Sequence, residues 1–270
     1  MKPITISVSR RALLLAAGAS LLFASCAVQP PAMKSAEVRV ITSGAFTAPY
    51  KELVPMFEKD TGHKVLSAYG ASMGNAPDAI PVRLGRGEAA DIVILAGPAL
   101  DELIKKGQVM PGSRVDLVRS SIGFAVRSGA PKPDISTMAA LKKTLLEAKS
   151  IAYSASASGV YFSTEMLQKM GIADQVLPKS KRILSERVGT IVARGDAELG
   201  LQQVSELIPI AGIDYIGPLP PEVQQTAFFS AGIVVGAKEP EAARALIKFF
   251  TSTTAAPIIS RSGLEPITQR

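Results

Sequence analysis

One cysteine, one histidine and no tryptophan occur among 270 residues. The single cysteine excludes an intrachain disulfide. The single histidine, His63, excludes a histidine-cluster metal site, and a Ser-His-Asp triad would have no base but His63 itself. His63 stands between Gly62 and a strand-like stretch over 64–69, where a surface turn is expected. No GxxxxGK phosphate loop occurs, and no Lys/Arg run or basic stretch interleaved with aromatics. Nucleic-acid binding and nucleoside-triphosphate chemistry are therefore not expected. Past residue 26 no apolar run is long enough to cross a membrane. Glu88 and Asp91 are close in sequence but flank a turn, where they read as caps. No metal and no cofactor is expected.

What is present begins with an export segment over residues 1–26. Lys2, Arg10 and Arg11 precede an apolar stretch at 12–24, which ends in Phe23-Ala24-Ser25-Cys26. A basic start, a short apolar centre and small residues before a cut make a secretory signal. Ser9-Arg10-Arg11-Ala12-Leu13-Leu14 resembles the twin-arginine signal. Phe23-Ala24-Ser25-Cys26 resembles a lipoprotein box with Cys26 as the acylated residue; the alternative is a cut after Ala27 that discards it. Both place the mature protein in the periplasm or on the extracytoplasmic face. Removing residues 1–26 lowers the formal charge from +7 to +4. That mild excess suits a small anion.

Residues 27–36 (AVQPPAMKSA) read as a tether. Beyond it, apolar periodicity alternates between strand and helix. Strands are expected at 37–42, 63–69 and 91–95, and helices at 46–61, 77–86 and 98–106. The second half gives strands at 120–127, 151–153, 198–202, 213–216 and 226–237. Its helices fall at 136–149, 158–170, 184–194, 241–250 and 254–260. This rhythm predicts an α/β fold with mostly parallel sheets. The stretches 120–127 and 226–237 are expected to cross between two lobes, the first formed by 37–119 and 232–270, the second by 120–231.

Ligands of open parallel sheets collect at the carboxyl ends of strands, where helix N-termini offer free N–H groups and partial positive charge. Three small-residue turns have this form: Thr42-Ser43-Gly44-Ala45, Tyr69-Gly70-Ala71-Ser72-Met73-Gly74-Asn75 and Ser154-Ala155-Ser156-Ala157-Ser158-Gly159. Each alone reads equally as a helix cap. Together they suggest a shared anion site.

Val40-Ile41-Thr42-Ser43-Gly44-Ala45-Phe46-Thr47, Arg86-Gly87-Glu88-Ala89-Ala90-Asp91-Ile92-Val93-Ile94 and Gly195-Asp196-Ala197-Glu198-Leu199-Gly200 resemble the molybdate-binding class of periplasmic solute-binding proteins. The resemblance covers residues 37–266. It implies two α/β lobes joined by two crossing strands, the type II periplasmic-binding fold, with a ligand closed between them. It also implies a partner, the permease of an ABC-type transporter. The family's hydroxyl contacts fall on Ser72 and Ser158. Another falls near Ala45, where only Ser43 could supply the hydroxyl. Its binding tyrosine falls on or beside Gln203. A cage tuned to a tetrahedral oxyanion has been altered, so an organic carboxylate is the expected ligand. Arg83 and Arg187 are candidates to hold carboxylates, with Gly44 and Gly159 giving backbone access and Arg194 near the edge. Phe46, Met73 and Tyr161 are candidate walls.

A branch of the same family resembles aconitate isomerase, which moves a double bond in a tricarboxylate. That chemistry needs a base and an acid at one allylic system. Glu186, Tyr69 and Tyr161 are the candidates, within a wider set that includes Glu206 and Asp78. Capture of a small anion by a monomeric binding protein is the first reading. A cofactor-independent isomerase is the alternative, and a ligand-sensing module for a membrane receptor is a third.

Overall fold

The computed structural model describes residues 35–268. The export segment with Cys26, and the tether up to residue 34, lie outside these residues. Eleven strands form among them: β1 Glu37–Ser43, β2 Lys64–Gly70, β3 Ile92–Ala96, β4 Val115–Ser120, β5 Ile122–Arg127, β6 Ile151–Ser154, β7 Ser180–Ile183, β8 Leu199–Gln203, β9 Ile213–Pro218, β10 Ala227–Ile233 and β11 Leu264–Pro266. The helices are α1 Thr47–Thr61, α2 Ile80–Gly85, α3 Gly97–Lys105, α4 Met138–Glu147, α5 Ala157–Tyr161, α6 Leu167–Lys169, α7 Ala173–Val176, α8 Val188–Arg194, α9 Val204–Leu207, α10 Pro240–Phe250 and α11 Ala256–Arg261. Between α5 and α6 the chain widens into a π turn at Phe162–Met166, where the Leu167 N–H reaches back to the Phe162 carbonyl.

The strands make two sheets, ordered β11-β4-β10-β3-β1-β2 and β7-β6-β8-β5-β9. In each, the strands that alternate with helices run parallel: β2, β1 and β3 in the first, β7, β6 and β8 in the second. One strand enters antiparallel beside them, β10 next to β3 and β5 next to β8. Residues 37–120 and 227–266 build the first sheet, and 122–218 the second. The chain crosses once at Ser121 and returns through 219–226.

Local sequence explains the layers. β3 reads IVILA and is buried at all five positions, as a strand covered on both faces must be. On α1, Tyr50, Leu53, Val54 and Phe57 are buried on one face, and Gly62 ends the helix in a left-handed turn. Phe250 of α10 packs edge-on to Phe46 at 5.3 Å between centroids and lies 5.8 Å from Tyr50. Each such buried ring contributes roughly 1.5–3 kcal/mol of transfer free energy. The second lobe's core gathers Phe124, Leu141, Leu145, Phe162, Leu167 and Leu201.

Several sequence expectations are corrected. The strand expected at 120–127 is two strands broken at Ser121, and β4, β7 and β11 are strands without a counterpart in the sequence expectation. The strand expected over 226–237 stops at Ile233: the Val234 N–H turns to the Asp91 carbonyl, and Gly236 adopts a positive φ. The helix expected from 184 starts at Val188, whose N–H is accepted by Gln202 Oε1 at 3.1 Å. His63 is buried rather than at a surface turn. Its Nδ1 accepts the Ala36 N–H at 3.1 Å, and its ring packs on Phe57.

Candidate functional site

The carboxyl ends of β1, β2 and β6, with the first turns of α1 and α5, open on one cleft of about 190 Å³. Gly44 and Ala45 come from the first serine-bearing turn, Gly70 to Ser72 from the second, and Ser154 to Ser158 from the third. Parallel pairing of β1 with β2 brings Ser43 level with Gly70. The two lobes touch across the cleft. The Ser72 N–H is accepted by Ser156 Oγ at 3.2 Å, and Ser205 Oγ donates to the Ala45 carbonyl at 2.8 Å.

The most unusual group in the cleft is Glu206. It lies on α9, directly after β8, and its carboxyl rests on the Cα of Gly44 from the other lobe. A Cβ on Gly44 would come within 2.0 Å of Glu206 Oε2. Only a residue without a side chain allows this approach. Gln202 Nε2 donates to Glu206 Oε2 at 2.8 Å while Gln202 Oε1 holds the first N–H of α8, so one amide fixes both. Burial pushes the Glu206 carboxyl up to about 7, against the opposing pull of the Arg187 charge and the Gln202 hydrogen bond. A carboxyl poised there can both accept and return a proton near neutral pH.

Charge around the cleft is mixed. Lys51 and Arg187 are the cations on its lining, and Asp78 and Glu186 are further carboxylates. Arg187 enters no ion pair among the described residues, whereas Glu186 is held by Arg194, which also bonds Asp196. Asp78 Oδ1 and Gln203 Nε2, on the lining, are buried without a hydrogen-bond partner, and so is Ser43 Oγ just behind Gly44. Leaving such an atom unsatisfied costs about 1–3 kcal/mol. Three of them around one cleft mark a place where a polar ligand would be welcome.

A sequence profile of the bacterial extracellular solute-binding proteins matches residues 38–265. The chain belongs to that family. It is 48% identical over 228 residues to an aconitate isomerase of a Pseudomonas species, a match covering 84% of this chain and 87% of that protein. It is 30% identical to a molybdate-binding protein of Azotobacter vinelandii, over 96% of this chain and 98% of the relative. The solved periplasmic molybdate-binding protein of Azotobacter vinelandii superposes with a TM-score of 0.67 at 22% identity, covering 84% of this chain and 98% of that one. The architecture is therefore the two-lobe binding-protein fold with two crossings.

Within this member of the family, the structure sorts the residues singled out from sequence. Gly44, Ala45, Ser72, Ser158, Gln203, Arg187, Glu186 and Tyr69 all border the cleft. Ser72 Oγ accepts the Ala96 N–H at 3.0 Å, Ser158 Oγ pairs with Ser154 Oγ at 3.1 Å, and Gln203 Oε1 accepts from Ser120 Oγ at 2.7 Å. Ser43 is buried behind the lining and Gly159 lies beneath it. A Cβ on Gly159 would sit 1.7 Å from the Ser154 carbonyl, so this glycine serves close packing of α5 on β6. Arg83 is off the lining. Glu88 grips it with both carboxylate oxygens, and it donates to the Tyr69 carbonyl at 2.9 Å, which braces the second turn from behind. That pairing holds the Glu88 carboxyl down at about 2. Tyr161 is a core residue whose hydroxyl donates to the Val223 carbonyl at 2.8 Å, and burial raises its pKa. Phe46 likewise belongs to the core.

Sequence reasoning ranked Glu186 above Glu206 and overlooked Lys51. The signal available for Glu206 was its place: an acid on the first turn after a strand that ends in two glutamines.

Proposed function

We propose that this chain is a cofactor-independent isomerase of an unsaturated tricarboxylate, of the aconitate isomerase kind, working outside the cytoplasm on a binding-protein scaffold. One observation carries the proposal: the Glu206 carboxyl, with a pKa near neutrality, lies against Gly44 in the cleft between the lobes. For a protein that only holds an anion, an ionised carboxylate there costs affinity, because like charges repel. A protein that moves a proton needs one. The 48% identity to an aconitate isomerase supports the same reading.

The reaction asks little beyond that group. Aconitate carries a methylene next to a carbon–carbon double bond. Glu206 takes one methylene proton, and the electron pair spreads through the double bond onto the terminal carboxylate. Carboxylates bound at Arg187, at Lys51 and on the N–H groups of the three turns would hold the three-carbon unit flat over Glu206. Protonated Glu206 then returns a proton to the far carbon. The double bond has moved by one position and no electrons have been gained or lost. The geometry of the new bond follows from the rotamer about the former single bond, so cis and trans forms interconvert. Ser72, Ser158, Gln203 and the buried Ser43 hydroxyl are the further polar groups in reach of substrate.

The family relationship and the relative of 30% identity support a second reading: capture of a small anion and delivery to an ABC-type permease. One experiment separates the two. Purified protein is incubated with trans-aconitate at neutral pH and the mixture is resolved by chromatography. Interconversion to the cis form is expected, falling by about 10²–10⁴-fold in Glu206→Gln. Quantitative recovery of unchanged trans-aconitate alongside a ligand-dependent rise in melting temperature would replace the isomerase reading with the capture reading.

A further inference from the structure

Glu206 has a second consequence that does not depend on the proton being transferred. The cleft gathers three turns rich in serine and glycine, an arginine with no ion-pair partner among the described residues and a lysine, which is how a site for an inorganic oxyanion is built. Yet its lining already holds the Glu206 carboxyl group. Gly44 meets it from one lobe and Gln202 clamps it from the other, so it cannot swing clear without giving up the Gln202 hydrogen bond, and Ser205 on the same helix is tied to the Ala45 carbonyl.

We propose that Glu206 is a specificity-determining residue that bars permanently ionised tetrahedral oxyanions, such as sulfate and molybdate, from this cleft. The argument is geometric. Sulfate carries charged oxygen in every direction and has no neutral face to turn toward a carboxylate. A dianion in contact with ionised Glu206 meets a repulsion larger than the one or two hydrogen bonds it would gain. A tricarboxylate can point its charged arms at Arg187, Lys51 and the turns and present a neutral methylene to Glu206. The same carboxylate that tolerates a branched organic acid therefore rejects a compact inorganic one. Part of the proposal rests on the isomerase reading, since the methylene it admits is the reacting carbon; the exclusion of sulfate stands without turnover.

The test is calorimetric titration of purified protein with sodium sulfate, which keeps both charges across the range used. For the wild type, no binding is expected at about pH 8, with affinity at least tenfold tighter at about pH 5.5 as Glu206 takes up a proton. For Glu206→Gln, binding at least tenfold tighter than wild type at about pH 8 is expected, with little change between the two values. The groups that share the lining are Lys51, Tyr69, Asp78, Glu186 and Arg187, while His63 lies in the core against Phe57, outside the lining. The parallel Glu206→Gln series assigns the pH dependence to Glu206 and not to these groups. Sulfate affinity at about pH 8 that is equal in wild type and Glu206→Gln, or absent from both forms at both pH values, would overturn the proposal. If Glu206→Gln does not fold, the wild-type pH series decides alone, and a flat series overturns it. The trans-aconitate assay on the same wild-type sample reports the isomerase reading separately.

Discussion

Consider adding a single methyl group at Gly44. Its backbone is not in the left-handed region, so alanine meets no conformational penalty there. The new Cβ would fall 2.0 Å from Glu206 Oε2 and 2.6 Å from its Cδ. Since real contacts stay beyond about 3 Å, the carboxyl must retreat by at least about 1 Å. The cheapest movement is rotation of the Glu206 side chain, which strains or breaks the 2.8 Å bond from Gln202. Losing that bond costs about 1–2 kcal/mol, partly offset because the carboxyl gains solvent. Stability should therefore fall by no more than about 2 kcal/mol. Catalysis should fall much further, because a displacement of about 1 Å can cost about 10²-fold in rate. Gly85→Ala is the control: at the end of α2 it has nothing within 4 Å, and it should be neutral or slightly stabilising. Thermal melts and steady-state isomerisation, with kcat and KM separated, read both effects. Gly44→Ala with wild-type kcat would refute the placement of Glu206. A stability loss above about 4 kcal/mol would show that backbone, and not a side chain, absorbs the clash.

Two other consequences are open to measurement. The Glu206 pKa rises from the ordinary 4.5 to about 7 on folding, so the native state binds more protons than the unfolded chain between these values. Its contribution is present below about pH 4.5 and is lost as pH rises through 7, at most about 3 kcal/mol. Denaturant titrations from about pH 5 to 8 should show wild-type stability falling relative to Glu206→Gln, and parallel curves would contradict the assignment. Tyr161→Phe removes only the hydroxyl bond to the Val223 carbonyl. It should lower stability by about 1 kcal/mol and leave turnover within twofold; a large loss of kcat in a folded Tyr161→Phe protein would return Tyr161 to the chemistry.

Those elements of the fold whose burial is periodic could be read from the chain alone. The stripe Tyr50, Leu53, Val54, Phe57 and the stop at Gly62 specify α1, and the apolar run at 92–96 specifies a strand covered on both faces. Where tertiary contacts override local pattern, reading failed. Residues 115–120 (VDLVRS) and 122–127 (IGFAVR) have a weak division between them, because Ser121 is an ordinary strand residue until two sheets pull the flanking segments apart. The onset of α8 is set by Gln202, fourteen positions further along, whose amide supplies the cap that the local sequence lacks. His63 looked exposed because it follows a helix-ending glycine. It is buried because the Ala36 N–H and the Phe57 ring cover it from elements distant in sequence.

The site divides along the same line. Turns that follow parallel strands meet at one end of the sheets, so a cleft bordered by Gly44, Ser72 and Ser158 follows from topology once the strands are recognised. What a side chain does inside that cleft does not follow. Glu186 sits beside Arg187 in sequence and invites attention, yet Arg194 neutralises it from the next helix. Glu206 lacks any charged neighbour in sequence and looks like a helix-surface acid. Its setting is made by Gly44, on the opposite lobe, through contacts between segments 160 positions apart. A glycine is the least informative letter in a sequence until its missing Cβ is measured against what occupies the space. The pair matters as a pair: glutamate without the glycine would be driven out to solvent with an ordinary pKa, and glycine without the glutamate would leave a cleft suited to a bare oxyanion. Reading either residue alone supports binding, and only their contact supports proton transfer.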